Sequence, residues 1–178
     1  MQPAERHYPW YSVVSGEEIQ QGDIIERCPV FRPRNANLDN PGERGYFDWD
    51  DRDLVVMSQT CDLVQEHEKV KDVLLCALWK KSEFTSGHLS TAKGLEEARR
   101  GSLPAFHLLD RCTVSPFERE LRIVEFHRTY SLPIVFLRQR AKREPHLRLM
   151  TPYREHLSQA FARYFMRVGL PMDIPPFR

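Results

Sequence analysis

The chain has 178 residues, 41% of them hydrophobic, which is enough for one domain with a real core. Charged residues make up 29% but nearly cancel to a net charge of +1, so no global field draws the protein to nucleic acid or to a membrane. No apolar run approaches the roughly 18 residues of a membrane helix, and the opening MQPAERHYPWYS has no apolar signal core.

The expected location is therefore the cytoplasm, with Cys28, Cys61, Cys76 and Cys112 as reduced thiols. They form no CxxC pair. Cys28 and Cys76 lie within apolar runs, as core cysteines do, whereas Cys61 lies in a polar one.

In chain order, residues 1–18 read as an extended arm pinned by Tyr8, Trp10 and Tyr11. A first strand follows over residues 19–31, entered through Gly22-Asp23, with Pro29 near its end or on an edge. Residues 32–51 read as a long loop with an acidic close, Asp48-Trp49-Asp50-Asp51. Two short apolar runs, 54–57 and 73–78, have the length and composition of buried strands. Residues 95–100 suggest a short helix stopped by Gly101, and 104–109 another strand. Residues 120–127 alternate polar and apolar, the pattern of a half-buried strand. A short helix is expected over 131–137. The clearest element is the last, with Thr151 as N-cap and Pro152 in the first turn. Tyr153, Leu157, Ala160, Phe161, Tyr164, Phe165 and Val168 give it one wide apolar face, ended by Gly169 and Pro171.

These elements predict a single α+β domain, mostly β, with residues 19–130 as the β core and 131–178 as a helical C-terminal part. Charge divides unevenly along it. Residues 1–118 carry 14 basic and 20 acidic side chains, and residues 119–178 carry 12 and 5. Arginine supplies 20 of the 26 basic residues, the type suited to bidentate phosphate and carboxylate contacts. Internal packing of the basic part on the acidic part is the simpler account of this asymmetry.

The order Gly22-Asp23-Ile24, a long loop, Val55-Val56-Met57-Ser58, then Val73-Leu74-Leu75-Cys76 resembles the layout of the MazF/PemK-like toxins over about residues 20–80. The resemblance implies a small SH3-like antiparallel barrel. It also implies single-stranded RNA cleavage by an arginine before the second strand and a threonine at the end of the third. Arg52 matches the arginine, followed by Asp53 where the family has proline, and the threonine falls near Trp79.

The residues themselves single out Ser58-Gln59-Thr60-Cys61-Asp62, five consecutive small polar or nucleophilic side chains at a strand end. Cys61 as nucleophile, His67 or His88 as base and Asp62 as orienter would make a catalytic set. The simpler reading has Ser58, Thr60 and Asp62 bonding their own turn. Asp48, Asp50 and Asp51 lack the glycine and distal glutamate of a calcium loop, and no zinc-type spacing occurs, so no metal or other cofactor is expected. RNA contact would draw on Arg138, Arg140, Lys142, Arg143 and Arg148, then Arg154, Arg163 and Arg167, with Trp49, Trp79 and Tyr46 for stacking.

The leading expectation is a non-catalytic prokaryotic regulatory or accessory module. It would hold a protein or single-stranded RNA partner, or a second copy of itself, through Ser58, Gln59, Thr60, Trp49, Arg154, Arg163 and Arg167. The alternatives are a MazF/PemK-like endoribonuclease with a rewired site built on Arg52, and a hydrolase or transferase using Cys61, Asp62 and His67.

Overall fold

The computed structural model describes residues 8–33 and 47–166. Residues 1–7 of the arm, Tyr46 and most of the long loop, Arg167, Val168 and the Gly169–Pro171 helix stop lie outside the described residues. The molecule is α+β and mostly β. One sheet carries seven strands, β1 (Tyr11–Val14), β2 (Asp23–Pro33), β3 (Phe47–Val56), β4 (Asp72–Lys80), β5 (Phe106–Leu109), β6 (Arg122–Pro133) and β7 (His146–Leu149). Their spatial order is β1-β7-β2-β3-β4-β6-β5, and every pairing is antiparallel. Among the described residues three α-helices accompany the sheet: α1 (Ala92–Arg99), α2 (Ile134–Arg143) and α3 (Tyr153–Phe165).

Period-2 alternation sends successive side chains of a strand to opposite faces, and both faces of this sheet are covered. From β3 and β4, Val55, Cys76 and Leu78 face one core with Tyr11, Leu109, Val124, Phe126, Leu147 and Leu149. Leu157 of α3 is buried there, with Ala160, Phe161 and Tyr164 packed alongside. Those four recur at steps of three and four residues, whereas Phe165, expected on the same face, is 62% exposed. The other face sends Leu54, Val56, Val73 and Leu75 against Ile134, Leu137 and Ala141 of α2. Burying one such leucine stabilises the fold by about 1.5–3 kcal/mol. Helix α1 packs more modestly, through Ala98 and Leu95, beside Ile123 and Leu89.

The expected closed SH3-like barrel is not what the sheet forms: it stays open. Strands β1 and β5 are the two ends of the sheet, and among the described residues no ladder joins them. The sheet nevertheless rolls far enough for Tyr11 of β1 to donate its hydroxyl hydrogen to the Asp110 carbonyl just beyond β5, at 2.6 Å. Side chains from both edges share one core, so the roll is sealed by a side chain where a barrel would use main chain.

Several boundaries differ from the sequence expectation. The acidic segment 48–51 is strand, because Asp48, Trp49, Asp50 and Asp51 pair with Arg32, Phe31, Val30 and Pro29. Ser131 and Leu132 pair with Leu74 and Val73, so strand β6 continues to Pro133 and α2 starts only after it. Thr151 does not cap α3; its hydroxyl goes to the Glu155 carboxylate at 3.1 Å. Strands β1 and β7, four residues each, are too short to show a pattern. They form because each finds a partner across the roll.

Candidate functional site

Residues 58–62 lead out of β3 into a single 3-10 turn over Thr60–Asp62. Ser58 accepts the Leu74 N–H at 2.9 Å, which ties the end of β3 to β4. Thr60 accepts the Gln21 N–H at 3.2 Å, tying the same turn to the start of β2. Gln59 and Thr60 give their carbonyls to the Asp62 and Leu63 N–H groups. Asp62 meets Lys69 at 3.3 Å. Cys61 is exposed, with Sγ 3.7 Å from Gln59 Oε1 and 3.6 Å from Asp62 Oδ1. Neither His67 nor His88 bonds to it among the described residues. His67 is exposed on the following turn, and His88 pairs with Glu97 at 2.7 Å. The segment is a joint between three strands, with one free thiol on its outside.

The two positions marked by the toxin resemblance do meet. The Arg52 guanidinium lies 5.1 Å from the centre of the Trp79 ring, and Arg128 lies 5.3 Å from the same ring. The indole N–H donates to Glu125 at 2.9 Å, and Arg52 pairs with Asp50. These are two cation–π contacts, worth about 0.5–1 kcal/mol each at a partly exposed surface. With two guanidiniums against its ring and its N–H given to Glu125, Trp79 is already engaged within the fold. Trp49 is different. It is 65% exposed and sits directly across the ladder from Phe31, 63% exposed, near the end of the β2–β3 hairpin. Asp48, Asp50 and Asp51 beside it are exposed as well.

Most of the basic residues expected to hold phosphate have internal carboxylate partners. Arg138 pairs with Glu68, Lys142 with Glu17, Arg148 with Asp23, Arg140 with Glu144 and Arg154 with Glu155. Three of these partners lie in the acidic N-terminal part, so the charge asymmetry is substantially consumed inside the molecule. Arg163 is exposed on α3.

A charged cluster that no motif announces lies at an irregularity of β2. The β2–β3 register slips between Ile25 and Cys28, leaving Glu26 and Arg27 as a bulge, and Arg27 adopts a φ of +49° without being glycine. Bulges re-aim side chains, and here the Glu26 carboxylate turns to meet two cations. It accepts two hydrogen bonds from Arg119 and one from Arg122, all at 2.8 Å. Burial pushes the Glu26 carboxyl up, but the two guanidiniums outweigh it and hold it below the usual carboxylate range. Asp53, which accepts the Arg27 N–H at 2.9 Å, is pushed up by burial. Arg122 is only 1% exposed, and its Nε and Nη2 have no hydrogen-bond partner among the described residues. The bulge carries no glycine and its partners are remote in sequence, which is why Glu26, Arg119 and Arg122 escape a reading of the chain alone.

No known protein-family model matches the chain, and comparison with curated protein sequences finds no match. Among the described residues no group of three metal-ligating side chains converges. No helix among them is long and apolar enough to cross a membrane.

Proposed function

We propose that this SH3-like roll, open between β1 and β5, is a non-catalytic binding module that holds a protein partner at the β2–β3 hairpin. The observation that carries the reading is the exposed cross-strand pair Phe31 and Trp49, set among the carboxylates of residues 48–51. Large aromatics with a polar rim are the anchors from which protein interfaces draw most of their energy. Asp51, exposed beside the aromatic pair, selects a partner segment with an apolar anchor and a basic neighbour. RNA fits this face poorly, since the nearby charges repel phosphate and the C-terminal arginines are largely engaged.

The test replaces Trp49 with a photo-crosslinking amino acid in producing cells, with position 113 as a control away from the hairpin. One discrete protein adduct at position 49, lost on Asp51→Lys, supports the reading. RNA adducts, self-adducts only, or equal yields at position 113 overturn it.

One observation favours keeping the endoribonuclease as a second reading: Arg52 and residue 79 are neighbours, as the toxin layout requires. Residue 79 supplies an indole in place of a hydroxyl. Cleavage of single-stranded RNA that disappears in Arg52→Ala would replace the binding reading with this one.

A further inference from the structure

A cavity of about 120 Å³ opens between β2, the C-terminal end of α2 and β7. Ile24, Phe117, Ala141, Pro145 and Leu147 give it an apolar wall. Arg27, Arg140 and Glu144 stand around it, and Glu26, Arg119 and His146 complete the lining. We propose that this cavity binds a small monocarboxylate with a short hydrocarbon body. The ligand's carboxylate would take the place that Glu144 now holds between Arg27 and Arg140.

The cations are not equally engaged. Arg119 grips Glu26 with two bonds of 2.8 Å and has little left to offer. Arg27 and Arg140 share the single carboxylate of Glu144 at 3.6 Å and 3.5 Å. Both distances exceed the ~2.7–2.9 Å of a formed charge-assisted hydrogen bond. The remaining contact of Arg140, to the Glu26 carbonyl, is also long at 3.4 Å. Two guanidiniums thus converge on a carboxylate that neither properly reaches. The Glu144 side chain is 56% exposed, so swinging it into water costs little.

His146 supplies an independent observation. It is 8% exposed, lines the cavity, and neither ring nitrogen has a hydrogen-bond partner among the described residues. Its Nε2 is 3.2 Å from Asp23 Oδ2, but the ring is aimed too far off line for a bond to form. Buried polar atoms in native proteins nearly always find partners, and a ligand oxygen would supply one here. The place to be filled is that of the single Glu144 carboxylate between Arg27 and Arg140, so the ligand that replaces it is matched to one carboxylate group. The volume, room for several water molecules, admits a carboxylate with a few carbons and excludes a nucleotide. The apolar wall favours a hydrocarbon body over a bare inorganic ion.

Calorimetric titration of the full chain with acetate, propionate, butyrate and inorganic phosphate tests this, using wild type, Glu144→Gln and Arg140→Met. Saturable binding of at least one carboxylate is expected, about tenfold weaker in Arg140→Met and several-fold tighter in Glu144→Gln. Glu144→Gln removes the internal competitor without touching the core, so it decides the matter even if Arg140→Met does not fold. No carboxylate binding in either wild type or Glu144→Gln overturns the proposal. Phosphate binding tighter than every carboxylate overturns it, as does an unchanged or weakened affinity in Glu144→Gln.

Discussion

The turn at residues 58–62 and the bulge at Glu26 and Arg27 are both polar interruptions of a buried sheet, and they solve the same problem in opposite ways. In the turn, hydroxyls of Ser58 and Thr60 accept main-chain N–H groups of adjoining strands, and the hydroxyl demand ends there. In the bulge, one carboxylate is held by two arginines more than 90 residues away, and Arg122 keeps two buried nitrogens without partners among the described residues. Locally satisfied polarity makes a joint. Polarity satisfied at long range, and incompletely, leaves directed donors over for something else.

The contrast predicts different costs, the largest at the bulge. Glu26→Ala leaves a buried guanidinium at Arg122 without its carboxylate, a loss of about 3–5 kcal/mol where such pairs are broken from one side. Urea unfolding near neutral pH measures it; a loss below about 1 kcal/mol would mean that Arg122 is already solvated by other means. The pH dependence has a defined sign. Glu26 is held below its ordinary value, so its contribution is complete above the unfolded-state pKa of about 4.3 and fades as pH falls through the lower folded value. Glu26→Gln should flatten that acid limb. Asp53 acts oppositely, since burial raises it, and Asp53→Asn should stabilise the fold at neutral pH while keeping an acceptor for the Arg27 N–H.

The joint should respond about a third as strongly. Ser58→Ala strands the Leu74 N–H beside a buried strand, for about 1 kcal/mol. A branched replacement such as Ser58→Val would add crowding to the lost hydrogen bond, so alanine is the cleaner probe. If Ser58→Ala is neutral by denaturant midpoint, the hydroxyl is not holding the strands and the segment regains its claim to a functional role.

These two regions also show what was legible beforehand. Residues 54–57 and 73–78 are read as strands because their apolar runs carry the signal locally, although β3 ends at Val56, and α3 because its apolar residues repeat over a dozen positions. The segment from Phe47 to Asp53 has no such signal: it is strand because Pro29 to Pro33 lie opposite most of it. The polar run at residues 58–62 is conspicuous by composition, yet composition does not say whether a hydroxyl faces a cleft or a neighbour's N–H. The arginines pose the converse difficulty. Arg138 and Glu68 are 70 residues apart, and Arg148 and Asp23 are 125 apart, so their neutralisation is visible only in three dimensions.

The smallest expected effect sharpens the comparison most, because it isolates Cys61 from the turn that carries it. Burial pushes the Cys28 thiol up to about 11 and the Cys76 thiol up to about 12, and Cys112 is buried too. Native alkylation near neutral pH should therefore label Cys61 alone, read by mass spectrometry, since access fails at all three buried sites and thiolate character fails at Cys28 and Cys76. Its side chain bonds only to Gln59 and Asp62 among the described residues, at sulfur distances of weak bonds, so Cys61→Ser should shift stability by less than about 0.5 kcal/mol. Labelling at a rate no faster than that of a small free thiol would identify an ordinary exposed cysteine on a structural joint. A much faster rate would require a base that the His67 and His88 positions do not supply, and would return the catalytic reading to this turn.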